Sequence, residues 1–456
     1  MIDAQTLSRA TAAGIGRLIT GGAIDPIEVA EHFIAEAERA QKRNVYLRVT
    51  AERARREAAA SAKRYREGRA LGPLDGVPLS WKDLFDIAGT PTTAASALLR
   101  DSEPVQHDAP VVARLAAAGM VCLGKVNLTE FAYSGLGLNP HYGTPDNPHD
   151  TAVARAPGGS SSGSAVSVAD GSAPCSIGSD TGGSVRIPAA FNGLVGYKTS
   201  ERRIDKSGAF PLSDTYDTVG PLTRSVEDAV LLDMAMRGAV VSGVRRADLS
   251  TLRLIVPESV AFDGIEDAVA QNFEDSIDRL SNAGAKVERR RFALLDEVEA
   301  VTADHGSLTA AEAYFVHRGR VDGDDCAKID RRVVDRILGG KRMSSHDLIS
   351  ILRHRSRLIA AFNQELDGAL LAMPTAPHTA PEIAPLEADD AYFHKVNLKT
   401  LRNTMLGNFL ATCGLALPSG RDAGGLPTSI LFSAPWGQDE LLLSYGLAIE
   451  SALMEV

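Results

Sequence analysis

Residues 158–200 read GGSSSGSAVSVADGSAPCSIGSDTGGSVRIPAAFNGLVGYKTS. Two Gly/Ser-rich turns, Gly158–Ser164 and Gly178–Ser184, are joined by a run of small residues. Glycine loses much conformational freedom on ordering. It is kept where the backbone needs positive φ or another group must come close. A serine hydroxyl buried in such a turn needs a hydrogen-bond partner. Two of these turns in one stretch point to backbone N–H groups and hydroxyls converging on something small and polar.

On the N-terminal side, residues 3–65 carry apolar positions at helical spacing. In IEVAEHFIAEAERAQ, Ile27, Val29, Ala30, Phe33, Ile34 and Ala37 fall near i, i+3, i+4. Asp25-Pro26 supplies a cap and a first-turn proline, and AERARREAAASAKRYREG predicts a second helix ended by Gly68. The texture changes at Leu71, where LGPLDGVPLSWKDLFDIAG reads as a buried strand running into a loop. A helix at 110–118, a turn at Gly119 and the strand MVCLG follow, then a helix at 226–236 and a strand at 252–256. This alternation predicts an α/β fold around a largely buried sheet. Residues 238–350 are more charged and are expected to be helical elaboration on the 70–236 core. The apolar pattern returns over 370–456, ending in the helix DELLLSYGLAIESAL. No repeat or low-complexity linker divides the chain, so 1–456 is expected to be a single domain.

Composition narrows the function. The chain has 456 residues, 44% hydrophobic and 23% charged, as in an ordinary globular protein. A net charge of −10 argues against a nucleic-acid surface, and the basic clusters Arg53–Arg56 and Arg289–Arg291 are short and adjoin acidic residues. Cys122, Cys175, Cys326 and Cys413 form no C-x-x-C pair. The ten histidines offer no H-E-x-x-H, so neither metal nor cofactor is expected. There is no signal-peptide pattern and no apolar run of about 18 residues. The cytoplasm is the expected location, without membrane attachment.

Three chemistries compete for the two turns. A phosphate loop needs G-x-x-x-x-G-K-[ST], and no lysine stands beside these glycines. Gly159–Gly163 matches the G-x-S-x-G of a nucleophile elbow, but that motif needs a strand leading into the serine, and DTAVARAPGG is loop-like. The third chemistry is amide hydrolysis by a lysine–serine–serine relay, and here the residues become specific. The 158–198 run closely resembles the signature of the amidase signature family. PLDGVPLSWKD resembles that family's segment ending in Lys-Asp, and GKVNLTEFAYSG with NPHYGTPDNP resembles its next one. DTVGPLTRSVEDAVLL, AMPTAP and GLPTSI also fit. The resemblance covers 70–236 and 370 to the end, and is weak across 238–350.

The resemblance implies a central mixed β-sheet flanked by helices on both faces. It also implies Lys82 as base, Ser160 as bridging serine after a cis peptide bond, and Ser184 as nucleophile. The backbone amides of Thr181, Gly182, Gly183 and Ser184 would form the oxyanion hole. The chemistry needs these types: a serine hydroxyl must be activated by a base in reach, and a lysine serves as base only when burial has disfavoured its charge. Asp180 and Arg186 are expected to be a structural ion pair. Tyr133 and Arg402 are candidate substrate contacts, and an arginine facing the pocket would imply a carboxylated substrate. Ser162 replaces a glycine common in the family, and Lys198–Arg202 departs from its usual Lys-Pro-Thr run. That second departure bears on substrate and partners rather than on the relay.

The resulting expectation is an amidohydrolase that releases ammonia or an amine from a small-molecule amide, with a homodimer as its assembly. The rival enzyme is the glutaminase subunit of a glutamine-dependent tRNA amidotransferase, the one case with a nucleic-acid partner. The rival from another class is a catalytically inactive binding protein on the same fold.

Overall fold

The computed structural model describes residues 3–242 and 245–454; the remaining residues of the 1–65, 238–350 and 370–456 segments lie outside the described residues. Its strands are β1 (Tyr46–Val49), β2 (Pro78–Lys82), β3 (Val121–Val126), β4 (Ser176–Asp180), β5 (Val195–Lys198), β6 (Thr218–Thr223), β7 (Arg253–Pro257), β8 (Lys286–Arg290), β9 (Leu370–Pro374), β10 (Cys413–Arg421) and β11 (Pro427–Ala434). They form one sheet in the order β1-β3-β2-β4-β6-β5-β10-β11-β9-β7-β8. It is mixed: β3, β2 and β4 run parallel, as do β9, β7 and β8, and the strands between them pair antiparallel. Helices cover both faces.

Local signals account for the elements before β4. Asp25 accepts a hydrogen bond from the Ile27 amide at the start of the Pro26–Gln41 helix. That helix buries Val29, Ala30, Phe33, Ile34 and Ala37. Gly68, at φ +66, follows the Ala51–Arg66 helix. Gly119, at φ +88, turns the chain from the Pro110–Ala117 helix into β3. Both glycines take left-handed backbone that a side chain would resist. On β2 every residue is buried, and Trp81 lies edge-on to Phe85 at 5.5 Å. Fully burying an apolar side chain of this kind contributes about 1.5–3 kcal/mol.

The strand expected at 252–256 is β7, but the reading of 238–350 as otherwise helical elaboration misses β8. β7 and β8, joined by the Asp267–Asn282 helix, extend the parallel end of the sheet. β8 is an edge strand, KVERR, with three of its five residues exposed. Charges on an exposed edge discourage pairing with another chain, and they also erase the apolar pattern that marks a strand. The helical layer begins later, with Ala293–His305, Leu308–Val321, Arg331–Lys341 and Ser345–Leu366.

The topology positions the site. Parallel β2 and β4 are neighbours, with Ser80 opposite Ser176 and Trp81 opposite Ile177. From β2 the chain continues to β3 on one side, and from β4 to β5 and β6 on the other. A crevice forms beyond the carboxyl ends of strands at such a switch point. Lys82 ends β2 and Asp180 ends β4.

Candidate active site

Lys82 is wholly buried. Its Nζ donates to Ser160 Oγ at 2.7 Å and to Ser179 Oγ at 2.9 Å. Burial lowers its pKa to about 7, against a smaller opposing pull from the carboxylates of Asp180 and Asp217. A substantial fraction of this lysine is therefore neutral at ordinary pH and able to accept a proton.

The first Gly/Ser turn carries Ser160 to that amine. The Gly159–Ser160 peptide is cis, and the Ser160 carbonyl accepts from the Thr129 amide at 3.0 Å. Gly159 is required by close approach: a Cβ there would lie 2.5 Å from Gly137 N and 2.7 Å from Ser134 O. The Ser162–Ala169 helix follows at once. The two turns are tied by the Ser161 amide, which donates to the Ser184 carbonyl at 3.3 Å.

The second turn is built on Asp180. The fully buried Arg186 donates to its carboxylate from Nε at 3.0 Å and from the Nη2 amine at 2.9 Å, and Asn408 adds 3.1 Å. Burial alone would raise this carboxyl, but the guanidinium overrides it and holds it well below the usual range. Asp180 and Arg186 are thus the structural pair expected. The same carboxylate takes the Gly183 amide at 2.9 Å and the Val185 amide at 3.2 Å. Of the four expected oxyanion donors, Gly183 therefore has its N–H committed to Asp180. Among the described residues, the amides of Thr181, Gly182 and Ser184 have no protein acceptor. Gly183 sits at φ +133, and Thr404 Oγ1 donates to the Gly182 carbonyl at 2.7 Å.

Thr181 leads to a carboxylate that sequence reading missed. Its hydroxyl donates to Asp217 at 2.5 Å, while the other oxygen of Asp217 takes the amides of Leu212 and Ser213 at 2.9 and 3.0 Å. Burial raises the Asp217 pKa. The same loop is clasped from the helical layer by Glu312. It accepts from Thr215 N at 3.1 Å, from Thr215 Oγ1 at 2.5 Å and from the Ser213 hydroxyl.

Ser184 is almost wholly buried and lines a small pocket with Tyr133, Leu212, Ser307, Arg336 and Met405. Neither Lys82 nor Ser160 hydrogen-bonds its hydroxyl here. Bonds of this kind commonly close only with substrate in place. Tyr133 thus lines the same pocket as Ser184. Arg402 does not: it borders a neighbouring cavity of about 500 Å³. Its guanidinium is spent on the Asp263 carbonyl at 2.7 Å, the Ala261 carbonyl at 3.2 Å and Asn403 at 3.1 Å. The arginine beside Ser184 is Arg336, which sequence reading missed. It lies 4.4 Å over the Tyr133 ring, and its Nε is enclosed without a partner. Burial lowers its pKa, while the neighbouring Tyr133 opposes that shift, yet an arginine stays charged in proteins.

Among the described residues, no group of three or more His, Cys, Asp or Glu is arranged to hold a metal ion. No described helix is long and apolar enough to cross a membrane.

Comparison with known proteins agrees with this architecture. The Amidase family matches residues 28–443. A 2-amino-5-chloromuconic acid deaminase of Comamonas testosteroni is 35% identical over 425 residues, 90% of this chain and 88% of the relative. A glutamyl-tRNA(Gln) amidotransferase subunit of Thermobifida fusca is 31% identical across 98% of this chain and 97% of its own length. A crystal structure described as an amidase superposes with a TM-score of 0.86 at 30% identity, covering 97% of this chain and 99% of that one.

Proposed function

The chain belongs to the amidase family, and on that premise we propose that it hydrolyses a linear small-molecule amide bearing a carboxylate, through a Ser184–Ser160–Lys82 relay. The observation that carries the reading is the 2.7 Å contact between Ser160 and a buried Lys82 whose pKa lies at about 7. Neutral Lys82 takes a proton from Ser160 as Ser160 takes one from Ser184, and Ser184 Oγ attacks the amide carbon. General-base assistance of this kind contributes about 10²–10⁴ in rate. The developing oxyanion is received by the free backbone amides of the 181–184 turn, each such donor worth roughly 2.7–4 kcal/mol. The proton then returns through Ser160 to the amide nitrogen, the C–N bond breaks, and an acyl-Ser184 remains for water to hydrolyse.

Arg336 supports the carboxylate. Among the described residues its guanidinium has no ion-pair partner, and a positive charge so placed beside the nucleophile is costly unless something anionic joins it. One relative named above acts, by its name, on an acid. The second reading, a glutaminase component of an amidotransferase, rests on the likeness to the Thermobifida fusca protein; glutamine also presents a carboxylate and a primary amide. Cytoplasmic location and a homodimer belong to the same proposal.

The test is ammonia release by the isolated chain from glutamine, short aliphatic amides, dicarboxylic half-amides, ureido amides and aryl amides, with Ser184→Ala as control. Carboxylated amides are expected to lead and Ser184→Ala to abolish turnover. Turnover that survives Ser184→Ala overturns the nucleophile assignment. Release from glutamine alone, only with co-purified subunits, decides for the second reading.

A further inference from the structure

The Ser184 pocket has a cavity on either side. Towards the helical layer it shares Ser307, Thr309 and Met405 with the 500 Å³ cavity, whose walls include Val298, Leu308, Leu398, Leu406 and Phe409. Towards the sheet it shares Ala132 and Leu212 with a second chamber of about 260 Å³. That chamber is bordered by Ser179, Thr181, Lys206, Asp214, Asp217 and Phe210. Ala132, at φ +61 and held by its amide's bond to the Thr129 carbonyl at 2.8 Å, forms part of the wall between them. Thr181, in the oxyanion turn, borders both cavities.

Resting on the hydrolase reading above, we propose that the 260 Å³ chamber is the leaving-group site: it receives the departing amine and admits the water that frees the acyl group. The base decides the side. The proton given to the leaving nitrogen comes from Lys82 through Ser160, so that nitrogen must lie on the Lys82 flank of Ser184. Lys82's other hydrogen-bond partner is Ser179, and Ser179 borders this chamber, not the apolar cavity. Arg336 borders the Ser184 pocket between the two cavities; with the amine on the Lys82 flank, the acyl part is left the cavity walled by Val298, Leu308, Leu398, Leu406 and Phe409.

The cycle balances on this arrangement. Collapse of the tetrahedral adduct breaks C–N, the nitrogen takes the relay proton, and Lys82 is left neutral. Water then enters where the amine stood, gives a proton through Ser160 to Lys82, and bonds to the acyl carbon. The C–O bond to Ser184 breaks, and Ser184 recovers that proton. A chamber of this volume holds several waters, each occupying about 30 Å³ of liquid, or a short amine in their place. Its hydroxyl and carboxylate groups, among them Ser179, Ser207, Asp214 and Asp217, suit a hydrophilic amine.

Partitioning of the acyl-enzyme tests this. Acylation with 4-nitrophenyl butyrate, followed by competition between water and hydroxylamine, methylamine or butylamine, reads access from the amine side. Ser207→Phe and Ala209→Phe, both on the chamber wall, should each lower butylamine trapping relative to hydroxylamine by about tenfold, the scale on which a misfitting methylene is penalised. Leu398→Ala, across the site, should not move that ratio. A ratio unmoved by both wall variants, or moved as much by Leu398→Ala, overturns the chamber and leaves the hydrolase reading standing. Failure of the unaltered protein to turn over either the ester or any amide overturns both.

Discussion

Replacing Lys82 with methionine separates what this residue does for catalysis from what it costs the fold. Its folded pKa, about 7, lies below the 10.5 of an exposed lysine. Between those values the unfolded chain binds a proton that the folded chain has released, so stability rises with pH across the window. At pH 7 the penalty is about 4 kcal/mol, and at about pH 9.5 only about 1 kcal/mol of it is left. Methionine carries no such penalty. It does leave the Ser160 and Ser179 hydroxyls short of a partner, at about 1–3 kcal/mol each, but that loss does not vary with pH. Urea unfolding of Lys82→Met and the parent, at both pH values, should therefore show the difference moving in favour of methionine by about 3 kcal/mol on going from the higher pH to the lower. In parallel, the parent's kcat/KM should climb with pH to a plateau above about 7, and Lys82→Met should lose about 10²–10⁴ of it. A stability difference that is the same at both pH values, or parent activity flat through pH 7, refutes a buried lysine poised to accept a proton.

Arg336→Met should raise KM for carboxylated amides by about 10–100-fold, the worth of a hydrogen bond to a charged group, and barely change it for uncharged amides; equal effects on both would remove Arg336 from substrate recognition. Breaking the fully buried Asp180–Arg186 pair by Arg186→Met should destabilise the protein by about 3–5 kcal/mol, read as a lower denaturation midpoint; a shift under about 1 kcal/mol contradicts the pairing. Gly183→Ala places a Cβ against Thr404 Oγ1 and 2.6 Å from Ile187 Cδ1 at a φ that resists side chains. It should lower kcat by at least about 10², and near-parental kcat would show that the turn tolerates remodelling.

Much of this was legible because it follows from local rules. The Pro26–Gln41 and Val226–Met236 helices are read from periodicity and caps, and Lys82 beside Ser160 from ordered blocks shared with a known family. The misses have physical reasons. β8 is charged because it is an edge, so its sequence looks like a surface helix. Arg402 has the right chemistry, but its guanidinium is drawn to the carbonyls at 261 and 263, a tertiary contact that no spacing announces. Arg336 left a faint trace: it stands three residues after buried Val333 and four before buried Gly340, on the inward face of its helix. A charge in an apolar stripe is the signal that would have found it. The Gly183 amide could not have been subtracted from the expected oxyanion set in advance, because the orientation of its partner Asp180 depends on Asn408, 228 positions away, as well as on the neighbouring Arg186.

The Glu312 clasp is the seam between two modules. Lys82 and Ser179 come from strands of the sheet and Ser160 and Ser184 from turns beside it, all between residues 82 and 184, whereas Arg336 and the Val298 and Leu308 walls come from the helical layer. One carboxylate, on Ser213 and Thr215, fastens that layer to the loop through which Asp217 reaches Thr181. Substrate preference can therefore drift by exchange of residues 293–366 without redesign of the reaction, provided a graft keeps an acceptor at 312. A chimera that swaps the layer but loses this latch would inherit the new appetite together with a slackened 181–184 turn.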